Sequence, residues 1–93
     1  MTNSSRRYVV PDHVLSRHVG DEAVLLSMES ERYFALEGAG PRIWALLCEK
    51  ERASASDLVA VLSDEYEVDS AVLESDVLAM LASLHGHGLI EAE

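Results

Sequence analysis

The chain has 93 residues, is 48% apolar with few Gly and Pro, and carries a formal net charge of −10. That length allows one domain with one modest core, the apolar content argues against disorder, and the charge repels nucleic acid and anionic membrane. A lone cysteine, Cys48, excludes an intrachain disulfide and suits a reducing compartment.

Residues 1–10 are polar, include Arg6 and Arg7, and read as a flexible arm ahead of a domain over 11–93. They are followed by no apolar run that would serve as a signal peptide, and no stretch reaches the length of a membrane span. The expectation is a soluble cytoplasmic protein with no membrane contact. Three strand patterns follow. The first, 14–19, alternates Leu15, Arg17 and Val19 against Val14, Ser16 and His18. After a turn at Gly20-Asp21-Glu22, the second, 23–28, puts Val24, Leu26 and Met28 on one face. After Glu29-Ser30-Glu31, the third, 32–36, puts Phe34 and Leu36 on one face and Tyr33 and Ala35 on the other. Short turns in succession predict an antiparallel meander.

Gly38-Ala39-Gly40-Pro41 ends the sheet, and proline suits the first helical position. The first helix is predicted over 41–50, with Ile43, Trp44, Leu46 and Leu47 inward. Ser54 and Asp57 resemble a capping box that opens a second helix, with Leu58, Val61, Leu62 and Tyr66 on one face. Val68-Asp69-Ser70 reads as the loop and cap of a third, which carries Leu73, Val77, Met80, Leu81 and Leu84 and stops at Gly86 and Gly88. Leu89 and Ile90 pack back or add a short wing. The predicted class is α+β, a three-stranded antiparallel sheet followed by three helices in a winged helix-turn-helix-like arrangement.

Such a fold often binds DNA, but the electrostatics here oppose it. After Arg52 there is no Lys or Arg, while Asp57, Asp64, Glu65, Glu67, Asp69, Glu74, Asp76, Glu91 and Glu93 follow. Nucleic-acid affinity rests mainly on cations that neutralise phosphates. A neutral or basic partner such as a peptide suits this surface better.

No catalytic constellation assembles. Cys48, after Leu46-Leu47, reads as a buried or half-buried inert thiol. His85 and His87 are two imidazoles where a metal site needs three or four ligands, so neither a metal nor a cofactor is expected. Asp64, Glu65 and Glu67 read as a solvated helix end. Trp44 and Phe34 sit at core positions; Tyr33 is either a contact residue or a cross-strand partner. The third strand is the informative element. Arg32-Tyr33-Phe34-Ala35-Leu36 has one charge and no Pro or Gly to blunt an unpaired edge. It is a template for adding an extended peptide, with Met80 of the third helix as an adaptable wall.

Several segments in order carry a family resemblance: Val24-Leu25-Leu26, Arg32-Tyr33-Phe34-Ala35-Leu36, and Gly40-Pro41-Arg42-Ile43-Trp44-Ala45-Leu46-Leu47. Tyr66 with Val68-Asp69, then Asp76-Val77, Leu81, Leu84 and Gly88-Leu89-Ile90 complete the set. Together they resemble the PqqD-like proteins, the RiPP recognition elements that bind leader peptides of ribosomally made natural products. The Pro-Asp-His-Val opening and the Gly-Asp turn are most similar to stand-alone leader-binding proteins of lasso-peptide pathways. The resemblance implies a non-catalytic role. A precursor's leader peptide would add antiparallel to the third strand and be delivered to a separate cysteine protease and an ATP-using cyclase. It places the leader along Arg32, Tyr33, Phe34, Ala35 and Leu36, opposite Leu73, Asp76, Val77, Met80 and Leu84. It also suggests a Tyr and a Pro of the leader in apolar pockets. Two positions depart from the family pattern: Glu31, often Gly, and Glu37, often Asn. The rival readings are a winged-helix DNA binder and a structural subunit-interface module.

Overall fold

A computed structural model describes residues 5–93. The elements in order are β1 (Arg7–Val9), β2 (Val14–Val19), β3 (Glu22–Ser27), β4 (Arg32–Leu36), α1 (Gly40–Lys50), β5 (Arg52–Ser54), α2 (Ala55–Glu65), α3 (Ser70–Gly86) and β6 (Glu91–Ala92). The meander forms as expected, in the order β2-β3-β4 with antiparallel pairing throughout. Its inner face carries Val14, Ala23, Leu25, Ser27 and Leu36, all buried, and β3 packs on α1. Ile43, Trp44, Leu46 and Leu47 of α1 fill the space beneath. Among the described residues, Trp44 Nε1 is the one buried side-chain nitrogen or oxygen without a hydrogen-bond partner.

A second sheet, ordered β5-β1-β6, was not legible in the sequence. Arg7–Val9, expected within a flexible arm, form its central strand, and residues 1–4 lie outside the described part. The β-forming side chains Tyr8 and Val9 are held by ladders on both sides. Glu93 adds a clasp: its N–H donates to the Arg7 carbonyl at 2.9 Å, and its carboxylate meets Arg7 at 3.8 Å and Arg52 at 3.1 Å. Leu89 and Ile90, each 1% exposed, pack back into the core and lead into β6.

The helices end as the local chemistry dictates. Ser54 Oγ accepts from the Asp57 N–H at 3.2 Å while the Asp57 carboxylate accepts from the Ser54 N–H at 3.0 Å, a complete capping box. Asp69 caps α3 by accepting from the Ala71 N–H at 2.8 Å. At the other end Gly88 takes φ +73°, and the Leu89 and Gly88 N–H groups donate to the Leu84 and His85 carbonyls. That is a Schellman stop, which a left-handed glycine permits. On α3 the buried stripe is Leu73, Val77, Leu81 and Leu84, against Leu58 and Leu62 of α2.

Two predictions arise here. Ser54→Ala removes the hydroxyl of the capping box and is expected to cost about 1 kcal/mol in a urea melt. The Ser54 N–H that donates to the Asp57 carboxylate holds it below the ordinary carboxylate range. A depressed carboxylate contributes stability above its unfolded value and loses it as pH falls through the folded one. The stability gap between wild type and Asp57→Ala is therefore full at pH 7 and closes on acidification below about pH 4.

The second concerns Glu31, at φ +59° in the left-handed region. Its N–H donates to the Ser27 carbonyl at 2.7 Å, so the β3–β4 turn is made with a residue that pays for a Cβ there. Glycine at this position avoids that strain but adds freedom to the unfolded chain. Glu31→Gly is expected to gain about 0.5 kcal/mol net, a melting point about 2–4 °C higher. A lower melting point would show that the Glu31 side chain supports the turn.

Candidate functional site

β4 pairs only with β3, so among the described residues its other edge is open. The ladder determines which main-chain groups face outward. The Met28 N–H donates to the His13 carbonyl at 2.7 Å, which continues the β2–β3 register one step beyond Val14–Ser27. Opposing residues in an antiparallel pair alternate between bonded and non-bonded. Met28, Leu26, Val24 and Glu22 thus bond toward β2, and Ser27, Leu25 and Ala23 toward β4. Their partners on β4 are Arg32, Phe34 and Leu36. Tyr33 and Ala35 are left with N–H and C=O aimed at the open edge.

Beside this edge lies a groove. Glu37, Ala39, Gly40 and Ile43 line one side and Asp76, Ala79, Met80 and Ser83 of α3 the other, enclosing about 380 Å³. Its floor is apolar and two carboxylates, Glu37 and Asp76, stand at it. Gly40 has a steric role: a Cβ there would lie 3.1 Å from Leu36 Cβ and 3.2 Å from Met80 Cε. Without one, β4, α1 and α3 converge closely enough for Met80 to form the floor. Toward the other end of β4 the half-buried Phe34 ring meets His87, centroids 5.0 Å apart.

Of the residues that the resemblance put opposite the leader, Asp76 and Met80 line this groove. Leu73, Val77 and Leu84 do not: they are 4%, 0% and 2% exposed and belong to the core. The physical reason is helical phase. Steps of four and three from Leu73 make the stripe that faces α2, while Asp76, Ala79, Met80 and Ser83 lie on the neighbouring face. On β4, Arg32, Tyr33 and Ala35 are exposed, Phe34 is half-buried and Leu36 is buried. Glu37, Ala39, Gly40, Ile43, Ala79, Ser83 and His87 were missed. The phase of α3 carried a signal for Ala79 and Ser83; nothing local marked the others.

Two further expectations are corrected. Cys48 is exposed, at the last turn of α1 beside Val10, Pro11 and Asp12, rather than buried or half-buried. Partial desolvation of the sulfur still pushes its thiol up. Glu65 is not merely solvated: its two carboxylate oxygens accept from Arg42 at 2.8 and 2.7 Å, which ties α2 to α1 and lowers its pKa. His85 and His87 turn to different aromatic partners, Tyr8 and Phe34. Among the described residues no three His, Cys, Asp or Glu side chains gather as a metal site would require, and no helix is long and apolar enough to cross a membrane.

Comparison with known proteins gives a consistent picture. Residues 22–90 match the family described as Coenzyme PQQ synthesis protein D (PqqD). The structure is similar to TbiB1 in complex with the TbiA(beta) leader peptide, with TM-score 0.81 and 36% identity over 89% of this chain and 94% of that one. It is also similar to a lasso peptide synthetase B1 complexed with the leader peptide, with TM-score 0.77 and 25% identity over 90% and 96%. A third relative is the PqqD part of Methylobacterium extorquens PqqCD, a stand-alone RiPP recognition element. It gives TM-score 0.79 and 28% identity over 98% of this chain and 95% of that one. No match was found among curated proteins.

Proposed function

The chain belongs to the PqqD family, and on that premise we propose that it binds the leader segment of a ribosomally synthesised precursor peptide. The leader adds as a strand to β4 and is presented to a separate maturation protease and cyclase in lasso-peptide biosynthesis. One observation carries the reading: the open β4 edge, with the Tyr33 and Ala35 main chain outward, lies beside an apolar groove floored by Met80. Main-chain pairing supplies affinity and the groove supplies selectivity, as in strand addition generally. Glu37 and Asp76 favour a leader with basic residues beside its apolar anchors. The chain itself performs no chemistry in this scheme; its one thiol is held toward the protonated form.

Calorimetric titration with the leader segments of candidate precursor peptides, sought near this chain's gene, tests the proposal. Saturable one-to-one binding is expected, and absence of heat and of any spectral change at high micromolar leader would overturn it. The DNA-binding alternative is opposed by α3, whose charged exposed residues include Glu74 and Asp76 and no Lys or Arg. A gel shift with random-sequence duplex at physiological salt is expected to show no retention.

A further inference from the structure

The open edge of β4 is charged differently at its two ends. Arg32, Phe34 and Leu36 register with Ser27, Leu25 and Ala23, so these three side chains share the inner side of the sheet, the side that meets α3. Along that side Asp76 stands with Glu37, Met80 lies by Gly40 and Leu36, and His87 meets the Phe34 ring. The row therefore runs from carboxylates over an apolar floor and an aromatic pair to Arg32. Arg32 is the one Lys or Arg on β4 or α3. Arg32, Glu37 and Asp76 are all exposed. Arg7, Arg42 and Arg52 each meet a carboxylate, but among the described residues Arg32, Glu37 and Asp76 take part in no ion pair. Glu31 precedes Arg32 without pairing to it.

We infer that this chain selects a charge-polarised leader, with a Lys or Arg at the upstream end of the paired segment for Glu37 and Asp76 and an Asp or Glu at its downstream end for Arg32. The inference rests on strand addition at β4 and adds to it the order of charges that the leader carries. An unpaired strand edge offers N–H and C=O groups that a peptide can meet in either direction, and the antiparallel ladder is only slightly the more stable. The backbone of β4 thus fixes direction weakly, and the end charges supply the discrimination. In the antiparallel direction the leader's upstream end lies at Glu37 and Asp76 and its downstream end at Arg32. Glu37 and Arg32 are five residues apart, about 17 Å along a strand. That exceeds the Debye length of about 8 Å at physiological salt, so each end acts on the peptide charge next to it rather than on the peptide's net charge. A leader turned round meets like charge at both ends. Arg32 also disfavours a uniformly basic peptide, which the net charge of −10 alone would attract.

The test titrates synthetic leader segments of the candidate precursors into wild type and into a variant with all three charges reversed (Arg32→Glu, Glu37→Lys, Asp76→Lys). The three side chains are exposed, so the variant should melt near the wild-type temperature; where circular dichroism shows otherwise, the neutral set Arg32→Gln, Glu37→Gln, Asp76→Asn replaces it. A segment that binds wild type should carry a Lys or Arg about five residues upstream of an Asp or Glu. An exposed ion pair contributes a few-fold, and exchanging the two peptide charges turns both attractions into repulsions. The exchanged copy should therefore bind wild type at least about tenfold more weakly at low salt, with the gap closing near 1 M NaCl. The reversed variant should prefer the exchanged copy, and the neutral variant should bind both alike. Original and exchanged copies that bind wild type within about twofold, or a bound segment without that charge order, would overturn this inference and leave strand addition standing. An unchanged preference in a folded variant would overturn it as well. Failure of every candidate segment to bind wild type would overturn both readings.

Discussion

Tyr33→Pro and Ala35→Pro are expected to weaken leader binding severely while the domain stays folded. Proline removes an N–H and places its ring where that hydrogen pointed. At Tyr33 and Ala35 that hydrogen points away from β3, to the edge where a leader strand would pair, and edge positions are where sheets tolerate proline. Each variant loses a main-chain bond, worth about 0.5–1.5 kcal/mol net, and sets a ring against the incoming backbone. A loss of at least about tenfold in affinity follows from the bond alone at the upper end of that range. Phe34→Pro has the opposite signature, because the Phe34 N–H faces Leu25 on β3. Its main effect should be on folding, with a much lower melting temperature. Binding retained by both Tyr33→Pro and Ala35→Pro in folded protein would contradict strand addition.

Met80→Glu is expected to abolish binding with little change in melting temperature. Met80 is half-buried at the groove floor, and an apolar leader side chain seated there would desolvate the new carboxylate without a partner. Met80→Ala should cost about 1–3 kcal/mol of binding, the usual range for a buried interface contact. Leu84→Ala provides the contrast. Leu84 is 2% exposed in the core, so its truncation should cost about 2–5 kcal/mol of stability and leave the affinity of the folded fraction near wild type. If Leu84→Ala weakened binding as much as Met80→Ala at full folding, the leader would have to reach beneath the surface of α3.

Much of this architecture was legible because period and caps agreed. The alternation at 14–19, 23–28 and 32–36 specified the meander, and Ser54 with Asp57 marked the start of α2 within a residue. What failed was long-range. Arg7–Val9 and Arg52–Ser54 are three-residue strands, too short for alternation to register, and each exists because the other and Glu91–Ala92 supply its hydrogen bonds. The open edge was legible as a strand without blunting residues. Its outward residues were not, because they depend on which side of β3 bonds to β2, a property of the assembled ladder. The groove was half legible. Asp76 and Met80 were placed on it, but Leu73, Val77 and Leu84 were assigned with them because their spacing suits a core and a wall equally; only packing against α2 separates the two. Glu37, Gly40 and Ile43 enter because the β4–α1 turn folds against α3, which no local pattern announces.

The most direct test of strand addition at β4 is amide hydrogen exchange, residue by residue, with and without a saturating amount of the precursor's leader. In the free protein the Tyr33 and Ala35 amides face the open edge and should exchange fast, while Phe34, bonded to β3, exchanges slowly. The account predicts that adding leader slows Tyr33 and Ala35 together by at least about tenfold, as new ladder bonds form. Leader binding that leaves both amides in fast exchange, with protection appearing elsewhere, would contradict it.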